Sequence, residues 1–180
     1  MQRFSVRIII ALSAFVIGIT AFIIWVSPLP EFFQTEYLAK RSCSLAPKEY
    51  KISDLEAIEL AECFVITQGY TAYPPAEDKS KLQYEFFGDS SVPEEVLNQR
   101  HNMLKSKAYG VRYEERINGW RVVFHYNFKN EKINKLNPEF LEHLKTVGRV
   151  VIMDAYGGSA SIEHEDFEFS KFQKVEEIAR

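Results

Sequence analysis

The chain has 180 residues, 46% hydrophobic and 14% aromatic, with a formal net charge of −3 at neutral pH. Fourteen Phe and nine Tyr exclude a disordered tail, because so many rings repay the cost of ordering when they are buried. The acidic balance disfavours a nucleic-acid or anionic-lipid surface, which needs clustered Lys and Arg.

Residues 1–7 form a short tail whose only charged side chains are Arg3 and Arg7. The run from Ile8 to Val26 follows, nineteen residues without a charge, Asn, Gln or Pro. As a helix it measures roughly 28 Å, close to the hydrocarbon thickness of a bilayer. Trp25 stands where an indole prefers the interface, and Ser27, Pro28 and Pro30 stop the helix. The reading is a retained transmembrane helix over 8–26 that places the chain in the lipid bilayer. The rival is a cleaved signal peptide, whose apolar core is usually about 7 to 15 residues before a small-x-small site. No A-x-A follows this run, and Ser13 and Ala21 lie deep inside it. A lipoprotein is disfavoured because Cys43 follows Lys40-Arg41-Ser42, far past the run.

Basic residues tend to stay cytoplasmic, so the N-terminus is expected inside. The bias is modest, since Glu31 and Glu36 on the other flank are followed by Lys40 and Arg41. The rest of the chain is then extracytoplasmic, periplasmic in a double-membraned bacterium, and the protein a single-pass resident of the inner (plasma) membrane. Residues 27–52 read as a connector, helical near Pro30 to Lys40, and 53–180 as one α+β domain. With Arg3 and Arg7 set aside, 20 basic residues face 25 acidic ones.

Within the domain, Ser53-Asp54-Leu55-Glu56 reads as a capping box. Leu55, Ile58, Ala61 and Val65 continue it as a helical stripe that Gly69 ends. Tyr70 to Lys81 reads as a loop, and Leu82, Tyr84 and Phe86 as a short strand. A second helix is expected from Pro93, with Leu97, Leu104 and Ala108 as its apolar side and Gly110 just past its end. Val111 to Ile117 then leads through Asn118-Gly119, a hairpin signal, into Trp120 to Phe128. On that strand Trp120, Val122, Phe124, Tyr126 and Phe128 share one face. Arg121, Val123, His125 and Asn127 share the other, taken as wet. A polar insertion from Lys129 to Lys145 carries a short helix from Pro138. Arg149 to Ala155 and Ser159 to Phe169 are strands joined at Gly157-Gly158.

The two cysteines, Cys43 and Cys63, leave two readings. They pair in an oxidising space, or Cys63 is a small buried residue and Cys43 a free thiol. No CxxC or Cys/His spacing points to a metal, and no motif points to a cofactor.

This order predicts two helices packed on a curved antiparallel sheet, which resembles the cystatin-like and nuclear-transport-factor-two-like group. The phrases FVITQGYT at 64–71, RHNMLKSKAYG at 100–110, GWRVVF at 119–124, VVIMDAYGG at 150–158 and HED at 164–166 are similar to a set of uncharacterised bacterial membrane-anchored or exported proteins. The likeness covers residues 55–168 and implies no activity. Immunity proteins of secreted toxins and peptidase-inhibitor-like modules share the broad architecture by analogy only.

His125 with Asp154 or Asp166 is the set that most resembles an acid–base pair. Against it stands a solvated His125 opposite the aromatic face, and an edge or turn role for His164 and Asp166. Arg100 falls near the apolar stripe of its helix, so an ion pair with Asp154 or Asp166 is expected, with an anion site as the functional alternative. Trp120 reads as core rather than as a stacking platform. The loop carrying Tyr70, Tyr73, Pro74 and Pro75 is aromatic, stiff and taken as exposed, which makes it the candidate contact surface. No GxSxG context supports a nucleophilic serine.

The sequence therefore points to a membrane-tethered, non-enzymatic binding module with an unknown protein partner, immunity-like or envelope-associated. The alternative is a small-pocket enzyme using the His–Asp pair. N-terminal sequencing of the protein purified from membranes is expected to begin before residue 20. A mature start beyond it overturns the anchor.

Overall fold

The computed structural model describes residues 45–75, 82–83 and 93–178. The apolar run at 8–26, most of the connector and Cys43 lie outside the described residues, as do Tyr84 and Phe86 of the expected short strand. No helix among the described residues is long and apolar enough to cross a membrane.

Helix α1 spans Asp54–Thr67 and starts as its sequence dictates. The Ser53 hydroxyl accepts from the Glu56 amide at 3.3 Å, and the Ser53 amide donates back to the Glu56 carboxylate at 2.9 Å. The same carboxylate accepts from Lys48 at 2.5 Å and from the Tyr50 hydroxyl at 2.9 Å. Lys48 first, then these other donors, hold its pKa down to about 2. At the far end Gly69 takes φ +81°, a left-handed backbone that a Cβ would strain. Residues 45–52 are also built into the domain. The amides of Lys48 and Ile52 donate to the carbonyls of Tyr156 and Ala155, both at 2.9 Å.

Helix α2, Pro93–Arg100, is shorter than expected. Asn102 turns the chain with φ +60°, and β1 runs over Leu104–Glu114, so Leu104 and Ala108 belong to a strand. Pairing with β2, Gly119–Tyr126, overrides the helical spacing of Leu97, Leu104 and Ala108, because a strand in register satisfies its backbone along a whole edge. A 3₁₀ turn, Glu115–Ile117, and Asn118 at φ +45° close that hairpin. The insertion holds α3, Glu131–Asn134, and α4, Pro138–Leu144, each capped by an asparagine side chain. Strand β3 is Val147–Asp154 and β4 is Ala160–Glu168. After a 3₁₀ turn at Phe169–Lys171 come β5, Gln173–Lys174, and α5, Val175–Ile178.

The sheet order is β4-β3-β2-β1-β5, antiparallel throughout. Helix α1 lays Ala57, Ile58, Ala61, Phe64 and Val65 on one face, against Val111, Val122, Phe124, Val151 and Met153. The expected second helix does not join it there. Leu97 of α2 instead packs at the end of α1, 2.6 Å from where a Cβ on Gly69 would sit. The opposite face is not left to water either. Val123 and Val150 are buried there beneath Phe169 and Phe172, with Tyr109, Ile152 and Phe167 alongside. Further along that face Arg121 pairs with Glu163 at 2.7 Å and with Glu114, and its guanidinium lies 4.9 Å from the Phe167 ring.

Strand β1 carries register shifts between Leu104 and Gly110. Glu62 of α1, only 6% exposed, serves that irregularity. One carboxylate oxygen accepts from the Ala108 amide at 3.0 Å and the other from Lys107 at 2.9 Å.

Phe124 is fully buried, and Trp120, expected beside it as core, packs against the same cluster but is only partly buried, edge-on to Tyr113 at 5.1 Å. Phe124→Ala is expected to cost about 3–5 kcal/mol, the range for emptying a buried aromatic site, and Trp120→Ala clearly less. Denaturant unfolding of the two variants checks the order.

Candidate functional site

A cavity of about 180 Å³ opens where α2 ends, β1 begins and β2 finishes. Its apolar walls are Tyr70, Met103, Leu104 and Tyr126; its polar groups are Gln99, Arg100 and Arg149. Local backbone structure assembles it. The turn after α1 places Tyr70, whose carbonyl accepts from the Leu104 amide at 2.9 Å. The left-handed Asn102 donates its amide to the Thr71 carbonyl at 3.0 Å, which seats Met103 and Leu104 beside Tyr70. Strand pairing sets Arg149 opposite Asp166 and Leu104 opposite Tyr126.

Arg100 is 2% exposed, and neither carboxylate expected beside it pairs with it: Asp154 is engaged with Tyr156 and Ser159, and Asp166 with Tyr126. No described carboxylate lies within ion-pair distance. Its guanidinium donates to the carbonyls of Gln68 at 3.3 Å and Gln83 at 2.6 Å, and stacks 4.8 Å from the Tyr70 ring centre. Its Nε has no partner among the described residues. Carbonyl acceptors offset part of the cost of burying the cation but leave its full charge in place.

Arg149 donates to the His164 carbonyl at 2.7 Å. Asp166 is exposed and accepts from the Tyr126 hydroxyl at 2.5 Å. Burial first, then this carboxylate, pushes the Tyr126 pKa well above the usual phenol value, so the hydroxyl remains a donor at any ordinary pH.

The anticipated His–Asp pair is not assembled. His125 and Tyr126 are neighbours on β2 and point to opposite faces, so Asp166 lies across the sheet from the imidazole. Asp154 sits at the other end of the strands, opposite Gly119. It caps the β3–β4 turn, accepting from the Tyr156 amide at 2.8 Å and the Ser159 hydroxyl at 2.7 Å. Burial raises its pKa, and the donors of Ser159, Tyr156 and Gly158 outweigh that and lower it. His125 is not the solvated group expected from alternation. It is half-buried between Tyr109 and Phe169, with ring centres at 4.7 and 4.3 Å. Burial, then the charge of Lys105, holds its pKa below the ordinary value.

The loop taken as an exposed surface is also divided. Tyr70 is 4% exposed and lines the cavity, Tyr73 packs partly against the core, Pro75 is half-buried, and only Pro74 of the four is exposed. Cys63 is in a disulfide, and Cys43, the only other cysteine of the chain, lies outside the described residues. Among the described residues no group of His, Cys, Asp and Glu is arranged to hold a metal ion.

Sequence reasoning singled out Arg100 and Tyr70 but assigned them to separate roles, and it missed Arg149, Tyr126 and Met103 as neighbours. An arginine on the aromatic-facing side of β3, in step with Val147 and Val151, was the available signal. Comparison with protein-family models, with curated proteins and with solved structures finds no match to this chain.

The packing of His125 predicts a pH effect on stability. Its folded-state pKa lies below 6.5, so the unfolded chain takes up the proton first. Stability is full above pH 6.5 and falls as pH drops through that value toward the folded pKa. Replacing the imidazole by a ring that does not titrate, His125→Phe, is expected to flatten the melting temperature between about pH 5 and pH 7. An unchanged slope places the titration elsewhere.

Proposed function

We propose that this chain is a single-pass membrane protein, N-terminus cytoplasmic, whose domain stands in the periplasm or outside the cell. It acts by binding and not by catalysis. The apolar run at 8–26 behind Arg3 and Arg7 supports the anchor and its direction. The disulfide at Cys63 supports an oxidising compartment, and Cys43 is its partner in this reading. The finer fold we assign is cystatin-like, with α1 laid across a curved antiparallel meander.

The observation that carries the binding reading is the separation of the titratable groups. His125 is packed between two rings, Asp154 is spent on a turn, and Asp166 holds a phenol on the opposite face from His125. Acid–base work needs a base within hydrogen-bond reach of its orienting carboxylate, at a site open to substrate. The polar groups brought together at the cavity are the Gln99 carboxamide, two guanidiniums and the Tyr126 hydroxyl, a set suited to recognition.

His125→Phe, which keeps a ring between Tyr109 and Phe169, is expected to restore function in a deletion strain as well as the parent chain does. A phosphatase fused to its C-terminus is expected to be active. A variant present in the membrane at parental levels that fails to complement defeats the non-enzymatic reading, and an inactive phosphatase defeats the orientation.

A further inference from the structure

We propose that the cavity at the α2–β1 junction binds a small organic acid, with its carboxylate on Arg100 and Arg149 and an apolar body against Tyr70, Met103 and Leu104. This rests on the binding reading and deepens it by naming a ligand class.

Charge is the first argument. Two guanidiniums line one cavity, no carboxylate is among its described lining residues, and Asp166, next to it, is exposed and engaged with Tyr126. Among the described residues Arg100 has no charged partner. It is almost wholly buried, its described partners are carbonyls, and its Nε has none. A buried cation in that state gains most from an anion that reaches it without water between them.

Size and lining are the second. A cavity of about 150 Å³ takes a benzene-sized guest, and this one holds about 180 Å³. Aromatic and aliphatic walls with a few convergent polar groups are the usual make-up of a small-molecule site. Bare phosphate would satisfy the arginines and leave the walls of Tyr70, Met103 and Leu104 unfilled. A neutral apolar guest would fill the walls and leave Arg100 unpaired. A carboxylate on a ring or short chain does both.

The test is titration of the full-length chain in nanodiscs with sodium benzoate, benzyl alcohol and inorganic phosphate. Benzoate is expected to bind at least about tenfold more tightly than either comparator, since benzyl alcohol lacks the charge for a charge-assisted hydrogen bond and phosphate lacks the ring that fills the apolar walls. Arg149→Gln is expected to weaken benzoate about tenfold, and Met103→Trp, which fills the cavity without removing a charge, to abolish it. Failure of benzoate to bind, equal affinity for benzyl alcohol or phosphate, or a folded Met103→Trp chain that binds as the parent does each overturns the proposal. If Arg149→Gln does not fold, the comparator ligands and Met103→Trp still decide it. A failed titration beside a complementing His125→Phe chain removes the acid and leaves the binding module. Failed complementation beside a positive titration removes the non-enzymatic reading and leaves the site.

Discussion

The carboxylate of Glu62 fastens the helix of this domain to its sheet. It is buried on α1, and both its oxygens are used at the irregular stretch of β1, one by the Ala108 amide and one by Lys107. A strand that leaves its regular register exposes backbone donors, and burying such a donor without a partner costs about 1–3 kcal/mol. The helix supplies the partner from its side. The axial position of α1 is thereby tied to the register of β1, and everything that hangs from the helix end follows. Gly69 turns the chain, Tyr70 takes its place under Arg100, and the Gln68 carbonyl meets the guanidinium.

How much of this was legible depended on whether the signal was local. The capping box at Ser53 and Glu56 was readable because both partners lie within one turn, as was the α1 stripe. The inward face of β2 was readable because alternation needs only the strand itself, and Val122, Phe124 and Tyr126 are buried as it requires. The second helix was misread past Arg100 because Leu97, Leu104 and Ala108 fit a helical period. The competing preference, pairing along β2, involves residues twenty or so positions away. The outer face was misread for a similar reason. Arg121 and His125 look wet in isolation, but Phe169 and Phe172 return to cover their strand.

The cavity shows the same limit more sharply. Its residues come from the loop after α1, the end of α2, the start of β1, the end of β2 and the beginning of β3. Each had a plausible separate role in the sequence. Arg100 was recognised as buried, and its expected carboxylate followed from the ordinary way of compensating a buried cation. Two backbone carbonyls and a tyrosine ring did that work in part, and a strand pairing placed a second arginine nearby.

The seam between the first and last strands bears on how the chain assembles. β5 pairs with β1 only at Gly110 and Val111, and a Cβ on Gly110 would meet the Gln173 carbonyl at 2.8 Å and the Phe172 Cβ at 2.9 Å. That edge is therefore covered, at Gly110 and Val111, by residues that leave the ribosome, or a translocation channel, after β1–β4. Until then β1 offers open backbone groups, and Val123 and Val150 lie uncovered on the face beside it. The stretch from Phe169 to Lys174 acts as a latch in time as well as in space. A chain paused before Phe169 would hold β1–β4 and still present an open strand edge and an uncovered apolar face, both prone to misassociate.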